Sequence, residues 1–214
     1  VLADLVMQLL RDPDGASLAF ISTEGIPLIL GALRTYLTSA DVQRAGCDAL
    51  ASLALSPQSR AVIAKLGGID QIMETLRRHK GDAAVCMRAC AALRNMAVNN
   101  VNRVTIANSG GIEFLLVTMR EHMVDPGVQE VSLGALRNLA LNSDNRTSIP
   151  EGGGLQLICD VLNVHADSAP VQVAGIGCLW NLSFDDHNSV YIASGGGVKL
   201  ILGALFKHRR DVHV

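Results

Sequence analysis

Aromatic side chains are scarce in this chain: one Trp, two Tyr and four Phe make up 3% of 214 residues, against 49% hydrophobic residues overall. A core with so few rings must be built from Leu, Ile, Val, Ala and Met, which suits close-packed helices, and the long β-branched runs of strands are missing as well. An excess of one charge is also lacking. Eighteen Lys and Arg stand against twenty Asp and Glu, a formal charge of −2, so nothing here resembles the basic face that tracks a phosphate backbone, and no nucleic-acid partner is expected. No run of about 18 uncharged apolar residues occurs, so no membrane span is expected.

Cysteine is present but lacks a secreted framework: Cys47, Cys86, Cys90, Cys159 and Cys178 are odd in number. Cys159 and Cys178 fall at apolar positions, and Cys47 and Cys90 stand 43 residues apart. Buried free thiols are the expected state, in a reducing intracellular compartment, the cytoplasm first and the nucleus second.

What the sequence does have is a period of 43 residues. Ala92-Leu93-Arg94-Asn95-Met96-Ala97 returns as Ala135-Leu136-Arg137-Asn138-Leu139-Ala140 and again as Cys178-Leu179-Trp180-Asn181-Leu182-Ser183, with a degenerate copy at Ala49-Leu50-Ala51-Ser52-Leu53-Ala54. Gly25, Gly68, Gly111, Gly154 and Gly197 keep the same beat. A chain that repeats at this period is a stack of similar units, read here as one elongated domain over residues 1–214. Residues 1–12 are the end of a truncated repeat, 13–55, 56–98, 99–141 and 142–184 are repeats, and 185–214 are a partial one.

Each period predicts three helices. Within 56–98, Ser56-Pro57-Gln58-Ser59 starts a short helix through Lys65 packed by Val62 and Ile63, and Gly67-Gly68 ends it because the left-handed C-terminal position tolerates glycine best. A second helix carries Ile69, Ile72, Met73 and Leu76 on one face. A longer third helix spans about Ala83 to Val98, with so many apolar positions that most of its surface must be buried between neighbours.

This succession, with the double glycine, the recurring Ile63, Ile106, Ile149 and Ile192, and the asparagines of Leu93-x-Asn95, Leu136-x-Asn138 and Leu179-x-Asn181, resembles the armadillo-repeat family over nearly the whole chain. HEAT repeats are the nearest alternative but use two helices and lack the glycine corner. The resemblance implies an all-α fold, a right-handed α-solenoid superhelix with three helices per repeat. It also implies a concave groove in which third-helix asparagines hydrogen-bond an extended partner. Asparagine offers two donors and an acceptor, so a ladder of them can satisfy the amides of a strand that has no sheet to join. The carried-over ladder is Asn95, Asn138 and Asn181, with Ser52 as a weakened first rung; the plainer alternative is that each Asn only braces a neighbouring turn. The importin-α branch places tryptophan four residues before each asparagine, where this chain has Asp48, Ala91, Gly134 and Gly177. Its only tryptophan, Trp180, stands where other repeats have Arg94 and Arg137. The resemblance is therefore to the β-catenin type of groove, and Arg88, Arg94 and Arg137 predict a protein or peptide partner carrying acidic residues.

Other constellations dissolve into the repeat. His79, His122, His165 and His208 recur at the period, each near the end of a second helix, but rungs about 8–10 Å apart cannot readily share one ion, so a helix-end role beside terminal carbonyls is expected and no metal. Gly152-Gly153-Gly154 and Gly195-Gly196-Gly197 follow no strand and precede no Lys-Ser/Thr, so no nucleotide cofactor is expected. No nucleophile–base arrangement stands outside the repeat, so the chain is not expected to be an enzyme. The expected function is a protein-interaction scaffold; the alternative is an array within a larger kinase- or GTPase-containing signalling protein, for which leucine-rich-repeat kinases look like a cousin. Because terminal units need polar caps, Leu2, Leu5 and Leu9 at one end and Val198, Ile201, Leu202 and Leu205 at the other predict weak self-association through uncapped ends.

Overall fold

A computed structural model of the protein describes residues 24–209, and every regular element among them is an α-helix. They run α1 (Ile26–Thr35), α2 (Ala40–Leu53), α3 (Pro57–Lys65), α4 (Gly68–Arg78), α5 (Ala83–Met96), α6 (Asn100–Asn108) and α7 (Gly111–Glu121). Then follow α8 (Pro126–Leu139), α9 (Ser143–Glu151), α10 (Gly154–Val164), α11 (Ala169–Leu182), α12 (Asp186–Ser194) and α13 (Gly197–Lys207). Short, second and third helices succeed one another as the period predicts, which is the pattern of an α-solenoid. The chain gathers into two compact units that divide between Thr105 and Ile106, within α6. The expected helix of residues 1–12, with Leu2, Leu5 and Leu9, lies outside the described residues.

Local chemistry sets each boundary. Ser39, Ser56, Asp82, Asn99, Asp125, Asn142 and Asp185 cap the helices that follow, their side-chain oxygens accepting from the backbone N–H three residues on. The two glycines of each corner have separate tasks. Gly67, Gly110, Gly153 and Gly196 adopt φ of 76, 79, 76 and 87°, the left-handed region. The glycine after each is needed for close approach: a Cβ on Gly111 would fall on the Ile106 side chain and 2.7 Å from its carbonyl oxygen, and one on Gly154 would lie 2.6 Å from that of Ile149. The recurring isoleucine and the recurring glycine are two sides of one contact.

In the first unit α2 packs along α5, with α1 behind α2 and α4 behind α5; in the second α8 packs along α11, with α7 behind α8 and α10 behind α11. Leu50, Leu93, Leu136 and Leu179 are at most 1% exposed, so each contributes the roughly 1.5–3 kcal/mol of a fully buried apolar side chain. Ile63 is buried as expected, while Val62 is only half-buried. The third helix of this repeat stops at Met96 rather than Val98. Past Met96 the chain tightens, Val98 N–H donating to Asn95 O and Asn99 N–H to Met96 O, which frees Asn99 to cap α6. All five cysteines are free and buried.

Candidate functional site

The third helices of each unit present a face built of the same positions. In the first unit Asn95 on α5 is half-buried and donates from Nδ2 to the Ala51 carbonyl of α2 at 2.8 Å; its Oδ1 accepts from Arg94 Nε at 3.4 Å. Ser52, the expected weak rung, sits beside Ala51 but turns its hydroxyl back onto the Asp48 carbonyl one turn earlier in its own helix, at 3.1 Å. Arg88 is ion-paired with Asp48 across α2 and α5, Nη1 to Oδ1 at 3.0 Å. Asp48 occupies one of the positions where the importin-α pattern has tryptophan, and here it holds a cation in place.

In the second unit Asn181 on α11 makes the same bond one repeat back, Nδ2 to Arg137 O at 2.8 Å, while Asn138 on α8 is half-buried. Asn95 and Asn181 thus tie successive third helices to one another rather than bracing a neighbouring turn of their own. Each bond occupies one amide hydrogen, and the second remains on a half-buried group.

Arg137 and Trp180 are exposed side by side in this face. The Arg137 side chain lies on Gly177, where a Cβ would come 2.9 Å from Nε and 3.0 Å from Cδ. Unlike Arg88, it makes no ion pair among the described residues. Trp180 meets Phe184 edge to face, centroids 6.1 Å apart and planes at 89°, and each ring is 66% exposed. Sequence reasoning missed Phe184 and Gly177. The signal for Phe184 was there, since Leu55, Val98, Leu141 and Phe184 recur at 43 residues and all are exposed. For Gly177 there was none, because its small size matters only through the arginine laid upon it.

The periodic histidines end second helices as expected, but their carbonyl partners lie one repeat earlier. Nε2 of His79, His165 and His208 bonds Leu37 O at 2.8 Å, Met123 O at 2.7 Å and Ala166 O at 2.9 Å. The imidazole reaches the turn after the preceding second helix, and at two helix ends a glutamine of the following third helix takes the terminal carbonyls. Gln129 Nε2 donates to Met119 O and His122 O, and Gln172 Nε2 to Leu162 O and His165 O, at 2.8 to 3.0 Å. Among the described residues no three His, Cys, Asp or Glu side chains gather as a metal set, and no single helix is long and apolar enough to cross a membrane.

The family model described as Armadillo/beta-catenin-like repeat matches residues 99–141. No curated protein matches the chain. Among solved structures it is similar to an engineered protein at 24% identity and TM-score 0.75, over 95% of this chain and 88% of that one. A second engineered protein aligns at 23% identity and TM-score 0.75, over 95% of this chain and 53% of that one. Identities this low speak for the fold alone, and with the matched repeat they agree with the helix order and the glycine corners. The chain has an armadillo-like repeat fold, of a kind that generally serves as a protein-interaction scaffold and is typically non-catalytic.

Proposed function

We propose that the protein binds an extended, acidic segment of a partner protein on the faces of its third helices, in the manner of a β-catenin-type groove. The observation that carries this reading is in the second unit. There an exposed guanidinium with no ion pair among the described residues is seated on Gly177, beside an exposed Trp180–Phe184 pair and the half-buried Asn138 and Asn181. An unpaired Arg recognises a carboxylate, an exposed aromatic pair accepts an apolar side chain, and amides held in register accept and donate along a backbone. The first unit offers a more neutral face, since Arg88 is already matched by Asp48. Buried free thiols fit an intracellular, reducing setting, the cytoplasm or the nucleus.

An affinity screen against tiled peptides tests this. For an acidic peptide that binds, Trp180→Ala is expected to weaken affinity by about 2 kcal/mol, roughly thirtyfold, as for a central aromatic anchor. Arg137→Ala with Asn138→Ala should weaken it by at least about tenfold while helicity and melting stay within the range of surface substitutions. If every peptide bound by the parent is bound equally by both variants, the third-helix face is not the site.

A further inference from the structure

In the second unit a cleft of about 310 Å³ opens between α6, α7 and α9, lined by buried Ile112 and Leu116 and by Glu113, Arg120, Ser148 and Gly152. That volume lies at the small end of ligand pockets, room for a single ring. The lining comes from short and second helices, so it shares no residue with the third-helix face. At the corresponding place 43 residues on, between α9, α10 and α12, the chain supplies its own occupant. There Tyr191 stands for Ser148, Gly195 for Gly152 and Gln156 for Glu113. The Tyr191 ring lies beside Gly195, where a Cβ would come 3.6 Å from its Cε1, and its hydroxyl donates to Gln156 Oε1 at 3.1 Å. Asp160 accepts from Nε2 of the same glutamine at 2.8 Å, which leaves Oε1 turned to the phenol. Ser148 is too short to repeat this, and its hydroxyl turns back onto the Asp144 carbonyl of its own helix at 3.2 Å. Glu113, at the position of the acceptor, is exposed and makes no hydrogen bond or ion pair among the described residues.

We propose that this cleft binds the unphosphorylated tyrosine side chain of a partner protein, seated as Tyr191 is seated one repeat on, with its phenolic hydroxyl donating to Glu113. An ionised carboxylate only accepts, so it complements a ring that carries an O–H, and phenylalanine would bring the ring without the donor. The bond is charge-assisted, and so stronger than the neutral one that Tyr191 makes to Gln156. A phosphotyrosine would have lost that donor and would set its charge against Glu113 and Asp144 in the lining. Arg120, the cation among the lining residues, already donates from Nη2 to Gly152 O at 2.8 Å.

Titration of the chain with p-cresol, a tyrosine side chain without its backbone, followed by amide NMR tests this. Millimolar p-cresol is expected to shift the amides of Glu113, Ser148 and Gly152 and to leave those of α11 in place, with toluene about tenfold weaker for want of the hydroxyl. Glu113→Leu should abolish that difference, and Glu113→Gln, which keeps an acceptor as at Gln156, should retain most of it. Ser148→Tyr should close the cleft to p-cresol, whereas Ser148→Ala should not, the unshifted α11 amides serving as the folding control for each variant. N-acetyl-tyrosinamide should bind at least as tightly as p-cresol, and its phosphorylated form about tenfold or more weakly. No shift at the three amides, equal binding of toluene and p-cresol, a difference that survives Glu113→Leu, or binding that survives Ser148→Tyr overturns the proposal. So does p-cresol binding with N-acetyl-tyrosinamide excluded, which would mean a small phenol rather than a partner's side chain. Tighter binding of the phosphorylated form also overturns it, and would mean a phosphate site at Arg120.

Discussion

At the scale of single residues the fold depends on groups that look interchangeable in sequence. The glycines separate cleanly. Gly111→Ala sets a methyl against the backbone of Ile106, where nothing flexible can yield, and should cost about 1–3 kcal/mol. Gly31→Ala, inside α1 with nothing within 4 Å of the added methyl, should instead stabilise by about 0.5–1 kcal/mol. Melting of the two variants beside the parent checks both signs. The buried glutamines also divide. Gln43 uses its Nε2 on two carbonyls and accepts at Oε1 from Thr75 Oγ1 at 2.6 Å, whereas Oε1 of Gln129 is buried without a partner. Replacement by leucine strips two carbonyls of a donor in each case, but only at Gln43 does it also take an acceptor from a buried hydroxyl, leaving Thr75 Oγ1 the Gln71 carbonyl of its own helix at 3.1 Å. Gln43→Leu should therefore cost about 0.5–1.5 kcal/mol more than Gln129→Leu in urea denaturation, and equal costs would show that the Gln71 carbonyl satisfies Thr75 alone.

The cysteines add a pH dependence at the same scale. Burial pushes the Cys47 and Cys178 thiols from 9.0 up to about 12, with Arg137 opposing slightly at Cys178. A raised folded value means that folding favours the neutral thiol. The stabilisation is full below pH 9, where the unfolded thiol is also protonated, and is lost progressively as pH climbs towards 12. Urea midpoints taken from pH 8 to pH 11 should fall more steeply for the parent than for Cys178→Val, and parallel slopes would rule the thiol out as a source.

Among the elements, helix identity and order were legible because three periodic signals coincided: glycine corners, one-face apolar stripes and the Leu-x-Asn motif of the third helix. Boundaries were less so. The third helix ends at Met96 because the capping duty of Asn99 competes with one more helical turn, and neither preference is visible alone. At the first corner Glu24 stands where later repeats have a left-handed glycine, while Gly25 is right-handed like its mates Gly68, Gly111, Gly154 and Gly197, so the periodic glycine keeps its geometry there and only the residue before it departs. The candidate site was half legible. Asn95, Asn138 and Asn181 announced themselves by recurrence, and so did Arg94 and Arg137 beside the first two, but recurrence could not tell that Asp48 neutralises Arg88 while Gly177 merely seats Arg137. Those outcomes depend on the residue one helix away, some forty positions distant in sequence.

At the scale of the whole molecule, a solenoid distributes stability by nearest neighbours, so protection against exchange should follow how completely each helix is flanked. Within the second unit α10 buries Leu155, Leu157, Ile158, Cys159, Val161 and Leu162 and has its carbonyls closed by Gln172, whereas α13 buries only Gly197 and Ala204. Both helices follow a left-handed glycine and a short helix, so their entry geometry does not separate them, and Gly203 inside α13 adds only about 0.5–1 kcal/mol to the difference. Amides of α13 should exchange at least about tenfold faster than those of α10, a gap of about 1.4 kcal/mol in opening free energy, which is less than burial of one leucine supplies. His208 tethers α13 to Ala166 O at 2.9 Å, so His208→Ala should widen the gap while leaving α10 unchanged. Equal protection of α10 and α13 in the parent chain would mean that stability in this unit is shared cooperatively rather than set helix by helix.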